Sequence, residues 1–364
     1  MTLKERITQT VFGKSDGRRD PSFDNIRCIL IFLVVFAHFL EICKPFIETG
    51  IDYGGGLIYG SGVIYKTVYS FHMPVFIFLF GYNARFSAKR IVFRWIVPYF
   101  VFQTLYIWFA QTVLSANIDF QYTTPYWILW FMLACIFYQL VLPLFDIGNK
   151  YSELFALMLT FAAALLVGYD NTVGYYLSLS RFWVFLPWFV MGYYCRKHGI
   201  LEKLTANRPL RWSITAVSAV CAALTALYMY KMYTKNLLLY GTASYESIGC
   251  TAWSRALICL FAFVWLCLLF VGIKPLLKRN IPVITMIGQN TLPVFLVHGF
   301  VVKAAPLYFQ EFLNTPWGVL LLTCAILVLT GNPLSRKLVD IVSLSWIEML
   351  TEKKRSEQNE ETSR

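Results

Sequence analysis

Runs of roughly twenty apolar residues recur ten times along this 364-residue chain, at about 26–43, 62–83, 94–114, 126–146, 152–169, 174–195, 212–233, 255–273, 286–307 and 317–334. A hydrocarbon core about 30 Å thick is crossed by about that many helical residues, and no soluble globule could bury ten such segments. Hydrophobic residues make up 58% of the chain and charged residues 14%, against roughly 45–50% and 25% in soluble domains. Because lipid offers the backbone no hydrogen-bond partners, each run must satisfy its own peptide groups, as a helix does. The sequence therefore predicts an all-α, polytopic integral membrane protein of about ten transmembrane helices. A soluble enzyme, a disordered chain and a disulfide-stapled secreted domain are excluded.

Basic residues set the orientation, because Lys and Arg collect in cytoplasmic loops. They occur before the first run (Lys4, Arg6, Lys14, Arg18, Arg19), after the second (Arg85, Lys89, Arg90, Arg94), after the sixth (Arg196, Lys197, Lys203, Arg208, Arg211) and after the eighth (Lys274, Lys278, Arg279), while 115–125 and 309–316 hold none. This alternation predicts both termini in the cytoplasm and a multi-pass protein of the cell membrane. It also accounts for the net charge of +12 without nucleic acid as a partner. The expected organisation is a cytoplasmic segment 1–25, a transmembrane domain 26–334, an amphipathic inner-face helix within 335–350 and a disordered polar tail 351–364. The nine cysteines include no CxxC pair and read as small apolar residues. No metal-ligand spacing, P-loop or dinucleotide fingerprint occurs, so neither a metal nor a bound cofactor is expected.

Ionisable groups inside a bilayer are costly and mark function by default. The first run carries Asp24, Arg27, His38 and Glu41. At 100° per residue, Arg27 and His38 lie about 20° apart around a helix and about 16 Å apart along it. That puts Arg27 near the inner surface and His38 near mid-membrane, on one polar stripe with Asp24 and Glu41. Glu41, one turn beyond His38, is placed to accept from one ring nitrogen and leave the other as a general base. His72 in the second run and His298 in the ninth fall at matching depth, which suggests a shared cavity. His198 lies in a basic loop and reads as solvated. Arg181 opens the sixth run from the outer side, where charge counting does not favour an arginine, and Trp130 lies near the outer interface; both suit acceptor binding. Arg85, Arg90 and Arg94 are explained by topology, and they also suit the phosphates of a cytosolic nucleotide.

At these residues the chain resembles the type 3 membrane acyltransferase family, in particular its fucose 4-O-acetylase-like branch. The family's first helix carries an arginine, ten residues, then a histidine, and Arg27 and His38 have that spacing. SFHMPVFIFLFGY resembles its second-helix signature, and WILWFMLACIF, SRFWVFLPWFVMGYY and GQNTLPVFLVHGF resemble later blocks in the expected order. The resemblance implies transfer of an acyl group, usually acetyl from acetyl-CoA, to a hydroxyl of a cell-surface or exported polysaccharide or its lipid-linked precursor. By the same resemblance His38 is the catalytic histidine and Arg27 its partner. Glu41 would assist them, His72, Arg181, Trp130, His298 and Asp24 would face the acceptor, and Arg85, Arg90 and Arg94 the donor. One departure is that the family's RxxR motif after the second helix is here RxxxR, Arg90 and Arg94. The competing class is a transporter or flippase for a glycan or lipid-linked sugar, which also needs a polar path across the bilayer.

Overall fold

The computed structural model describes residues 20–42, 56–231, 240–342 and 344. The segment before Asp20, residues 345–350 and the polar tail 351–364 lie outside them. Among the described residues the chain is helical, without strands. The elements are α1 Pro21–Ile42, α2 Gly56–Tyr82, α3 Ala88–Thr112, α4 Trp127–Phe145, α5 Lys150–Tyr169, α6 Leu179–Lys197, α7 Ile200–Ala206, α8 Arg208–Lys231, α9 Ala252–Leu276, α10 Pro282–Gln289, α11 Thr291–Leu313, α12 Pro316–Thr330 and α13 Pro333–Val342.

Eight of these (α1, α2, α3, α4, α5, α8, α9 and α11) are long and apolar enough to cross a membrane, and the α12–α13 pair, bent by 68°, makes nine if it is one span. The expected ten thus meet eight or nine. The sixth run does form a 19-residue helix, α6, but Arg181, Arg196 and Lys197 make it less apolar than the others. It needs less lipid contact because it is wrapped by protein: Phe185, Leu186, Trp188, Phe189 and Val190 are buried.

α6 packs most closely on α2, and two glycines allow it. A Cβ on Gly81 would meet the backbone oxygen of Phe189, and one on Gly192 that of Phe78. Membrane helices lack a hydrophobic driving force between them and rely on such close backbone approach. Outward faces are apolar instead of charged: Leu154, Phe155, Met158 and Leu159 on α5, and Val217, Val220, Leu224 and Leu227 on α8, are exposed. In water such stripes would drive association; in lipid they are simply solvated. α13 likewise exposes Leu334, Leu338 and Ile341 along one side.

α1 runs through the middle of the bundle, packed against α2, α10, α11 and α12. Its start is capped by Asp20, whose Oδ1 accepts from the Ser22 backbone N–H at 2.9 Å and from the Ser22 hydroxyl at 2.6 Å. Burial pushes the Asp20 carboxyl up, but those two bonds and the Lys274 ammonium outweigh it and hold the group below its ordinary range.

Candidate active site

α1 presents His38 toward α11, and its Nδ1 lies 3.0 Å from Nε2 of His298. The two rings are nearly coplanar, with an angle of 2° between them. His298 Nδ1 is in turn 3.0 Å from the carbonyl oxygen of Val294, one turn back on α11. A carbonyl only accepts, so His298 carries its proton on Nδ1 and offers the Nε2 lone pair. His38 must then donate from Nδ1, which leaves a lone pair on its own Nε2. His298 is fully buried, whereas His38 is only partly so. The reachable imidazole is therefore the one with a free basic nitrogen.

Close packing fixes this pair. A Cβ on Gly299, next to His298, would meet the Tyr106 hydroxyl, which donates to the Leu296 carbonyl at 2.8 Å. The hydrogen bond expected from His38 to Glu41 is replaced by the one to His298. The Glu41 carboxylate instead accepts from the Tyr69 hydroxyl at 3.0 Å. His72 joins the group from α2: its ring lies 4.8 Å from that of Tyr69, itself 6.4 Å from His38. The Nδ1 of His72 donates to the Val68 carbonyl at 2.8 Å.

Trp127 completes the wall, with its ring centroid 4.7 Å from that of His38. Its backbone φ is +38°, a left-handed conformation that is strained for a bulky residue. Strain of this kind persists where surrounding structure holds it. The Lys303 ammonium sits over the Trp127 ring, 4.3 Å from its centroid. Arg181 lies 5.0 Å over the Trp130 ring and 5.5 Å over that of Tyr175. Both cations act electrostatically on Glu41. Lys303 and Tyr69 were not among the sequence candidates, although a lysine five residues past His298 in an apolar run carries the intramembrane signal that singled out the histidines.

At the other end of α1, Arg27 Nη1 is 2.5 Å from Asp24 Oδ1, and Asp24 Oδ2 accepts from Gln289 at 3.2 Å. Asp24 is buried, so its place is beneath Arg27, remote from His38 along α1. A cavity of about 170 Å³ begins at Arg27, Asn83 and Trp95 and is lined onward by Ile31, Val34, Met73 and Phe295. Val34 lies one turn below His38, Met73 adjoins His72, and Phe295 is three residues before His298, so the cavity leads toward the imidazole pair. Arg85, Arg90 and Arg94 flank its mouth in sequence, between Asn83 and Trp95. The π turn Val92–Ile96 carries Arg94 and Trp95, and such turns recur at functional sites. Arg85 and Arg94 are exposed, and the buried Nε of Arg90 has no hydrogen-bond partner.

His198, expected to be solvated, is held by Glu153, Oε2 to Nε2 at 2.5 Å, while Lys197 bridges Glu153 at 2.9 Å and Asp146 at 3.0 Å. Among the described residues, no three His, Cys, Asp or Glu side chains are grouped so as to hold a metal ion.

A family model described as an acyltransferase domain matches residues 20–331. Neither a curated protein nor a solved structure matches the chain. The match takes in the arginine end of α1, the imidazole pair and the cavity between them, and it is to the family as a whole, without reaching the fucose 4-O-acetylase-like branch. This multi-pass membrane protein belongs to the acyltransferase 3 family.

Proposed function

We propose that the protein is an O-acyltransferase of the cell membrane that moves an acyl group, acetyl from acetyl-CoA, to a hydroxyl of a surface or exported polysaccharide or its lipid-linked precursor. The observation that carries this reading is the cavity that starts at Arg27 and leads toward the His38–His298 pair. Arg27 at the mouth, with Arg85, Arg90 and Arg94 close to its lining residues in sequence, suits the phosphates of the donor, and the apolar walls suit its thioester arm. By charge asymmetry that mouth faces the cytoplasm, where acyl-CoA is found.

The chemistry follows from the tautomers. His38 Nε2 takes the proton from the acceptor hydroxyl as its oxygen attacks the thioester carbonyl carbon. The C–O bond forms, and the carbonyl electrons move to oxygen. Collapse of that tetrahedral species breaks the C–S bond, and the departing thiolate takes the proton back from His38. While His38 is an imidazolium, its Nδ1–H bond to His298 strengthens, and His298 passes the polarisation to the Val294 carbonyl. General base catalysis of this sort supplies on the order of 10² to 10⁴ in rate.

The test is the ester content of surface glycans in cells with the wild type, a deletion or His38→Ala. Esters lost from a glycan that still reaches the surface, in both mutants, support the transferase. Loss of the glycan itself from the surface points instead to transport of a glycan or lipid-linked sugar. Esters retained in His38→Ala, with the protein normally inserted, overturn the mechanism.

A further inference from the structure

Two cations stand at the end of the site opposite Arg27, and among the described residues neither forms an ion pair with a carboxylate. Lys303 is held on the Trp127 ring and Arg181 on the rings of Trp130 and Tyr175. Among the described residues, the carboxylate that acts on both, Glu41, is engaged by Tyr69. Aromatic faces hold a cation in place while leaving most of its N–H donors free.

The backbone around these groups is built at some expense. Trp127, Leu177 and Ser178 have φ of +38°, +48° and +55°, and Ser178 immediately precedes the helix that carries Arg181. The two loops are tied together by the Leu177 N–H, which donates to the Thr123 carbonyl at 2.6 Å. Three of the five left-handed non-glycine residues among those described thus lie in the two segments that present Trp127 and Arg181. Strain of this kind clusters at active sites, ligand clamps and switch regions.

We infer that Lys303 and Arg181, set on Trp127 and Trp130, form an anion-binding subsite, so that the acceptor carries a carboxylate or phosphate beside the hydroxyl to be acylated. The inference rests on the transferase reading and deepens it. With an uncharged sugar the two cations share, among the described residues, the one Glu41 carboxylate that Tyr69 already engages, whereas an anionic group supplies a second counter-charge and fixes the neighbouring hydroxyl over His38 Nε2. The two aromatic rings offer flat apolar faces to the sugar ring. The anion has two sources, an acidic sugar or the phosphate of a lipid carrier.

Purified full-length protein in detergent would be given radiolabelled acetyl-CoA and one of three acceptors: decyl glucoside, decyl glucuronide or decyl glucosyl phosphate. Transfer and thermal stabilisation by each acceptor are read separately. The expected result is a preference of about tenfold for a charged acceptor, the size of one charge-assisted hydrogen bond. That ratio falls to near one in Lys303→Met and in Arg181→Gln and is kept in Lys303→Arg. Whichever charged acceptor is preferred identifies the source of the anion. Equal behaviour of charged and neutral acceptors in both readouts, or a preference unchanged in the variants, overturns the inference. Stabilisation by a charged acceptor without transfer to any of the three keeps the subsite and removes the transferase reading instead.

Discussion

His38 and His298, 260 residues apart in sequence, share a 3.0 Å hydrogen bond whose direction is dictated by the Val294 carbonyl behind it. Any change that frees His298 from this role releases the tautomer of His38.

His298→Ala is expected to lower kcat by on the order of 10² while leaving KM for acyl-CoA little changed, because His298 positions the base without touching the donor. His298→Gln, whose amide oxygen can accept from His38 Nδ1, recovers part of the loss. Steady-state kinetics on purified protein decide it. A shift confined to KM would show that His298 serves binding instead.

Val34 lines the cavity one helical turn below His38. Val34→Phe narrows the passage and should raise KM for acyl-CoA by about tenfold, the equivalent of roughly 1.4 kcal/mol of donor binding. If the cavity is filled and KM stays put, the donor reaches His38 by another path.

Gly81 and Gly192 let α2 and α6 touch backbone to backbone. Gly81→Leu or Gly192→Leu should destabilise the bundle by on the order of 3 kcal/mol, since the atoms in the way are carbonyl oxygens that cannot rotate aside. Gly148, with nothing within 4 Å, supplies the control: Gly148→Leu should melt like the wild type in detergent.

Asp20 caps α1 and lies 3.2 Å from Lys274. Its carboxyl is held below its ordinary range, so its contribution is present above that range and is lost as pH falls through the depressed value. Asp20→Ala should cost about 1 kcal/mol at neutral pH. Asp20→Asn keeps a capping oxygen and should lose only the acid-dependent part. Melting curves from about pH 7 down through and below the unperturbed carboxyl range check this: wild type and Asp20→Asn should converge at the acid end, with Asp20→Ala remaining below both.

Much of the site was legible because its chemistry is rare in its surroundings. An arginine, three histidines and a glutamate stand out in apolar runs, and the eleven-residue step from Arg27 to His38 puts them on one side of α1 by helical geometry alone. Helical spacing also nominated Glu41 as the partner of His38, and there the reasoning ended. Spacing says which residues share a face, but not whether a residue from another helix comes closer. Lys303 shows the converse: its charge was visible, but its use depends on Trp127, which begins α4 some 180 residues earlier.

The sequence by itself determined the solvent, the class of fold and the expected orientation, because these follow from summed hydrophobicity and loop charge, quantities that need no knowledge of neighbours. It also determined the separation of Arg27 and His38 along α1, because rise per residue is a constant of the helix. Tertiary structure decided the partner of His38 and hence its basic nitrogen, the burial of α6 despite its charges, and the strained placement of Trp127 before Lys303. Each of these depends on contacts between segments far apart in the chain, and such contacts are settled by close packing, in which the absence of one Cβ, as at Gly81, Gly192 or Gly299, determines which helices meet.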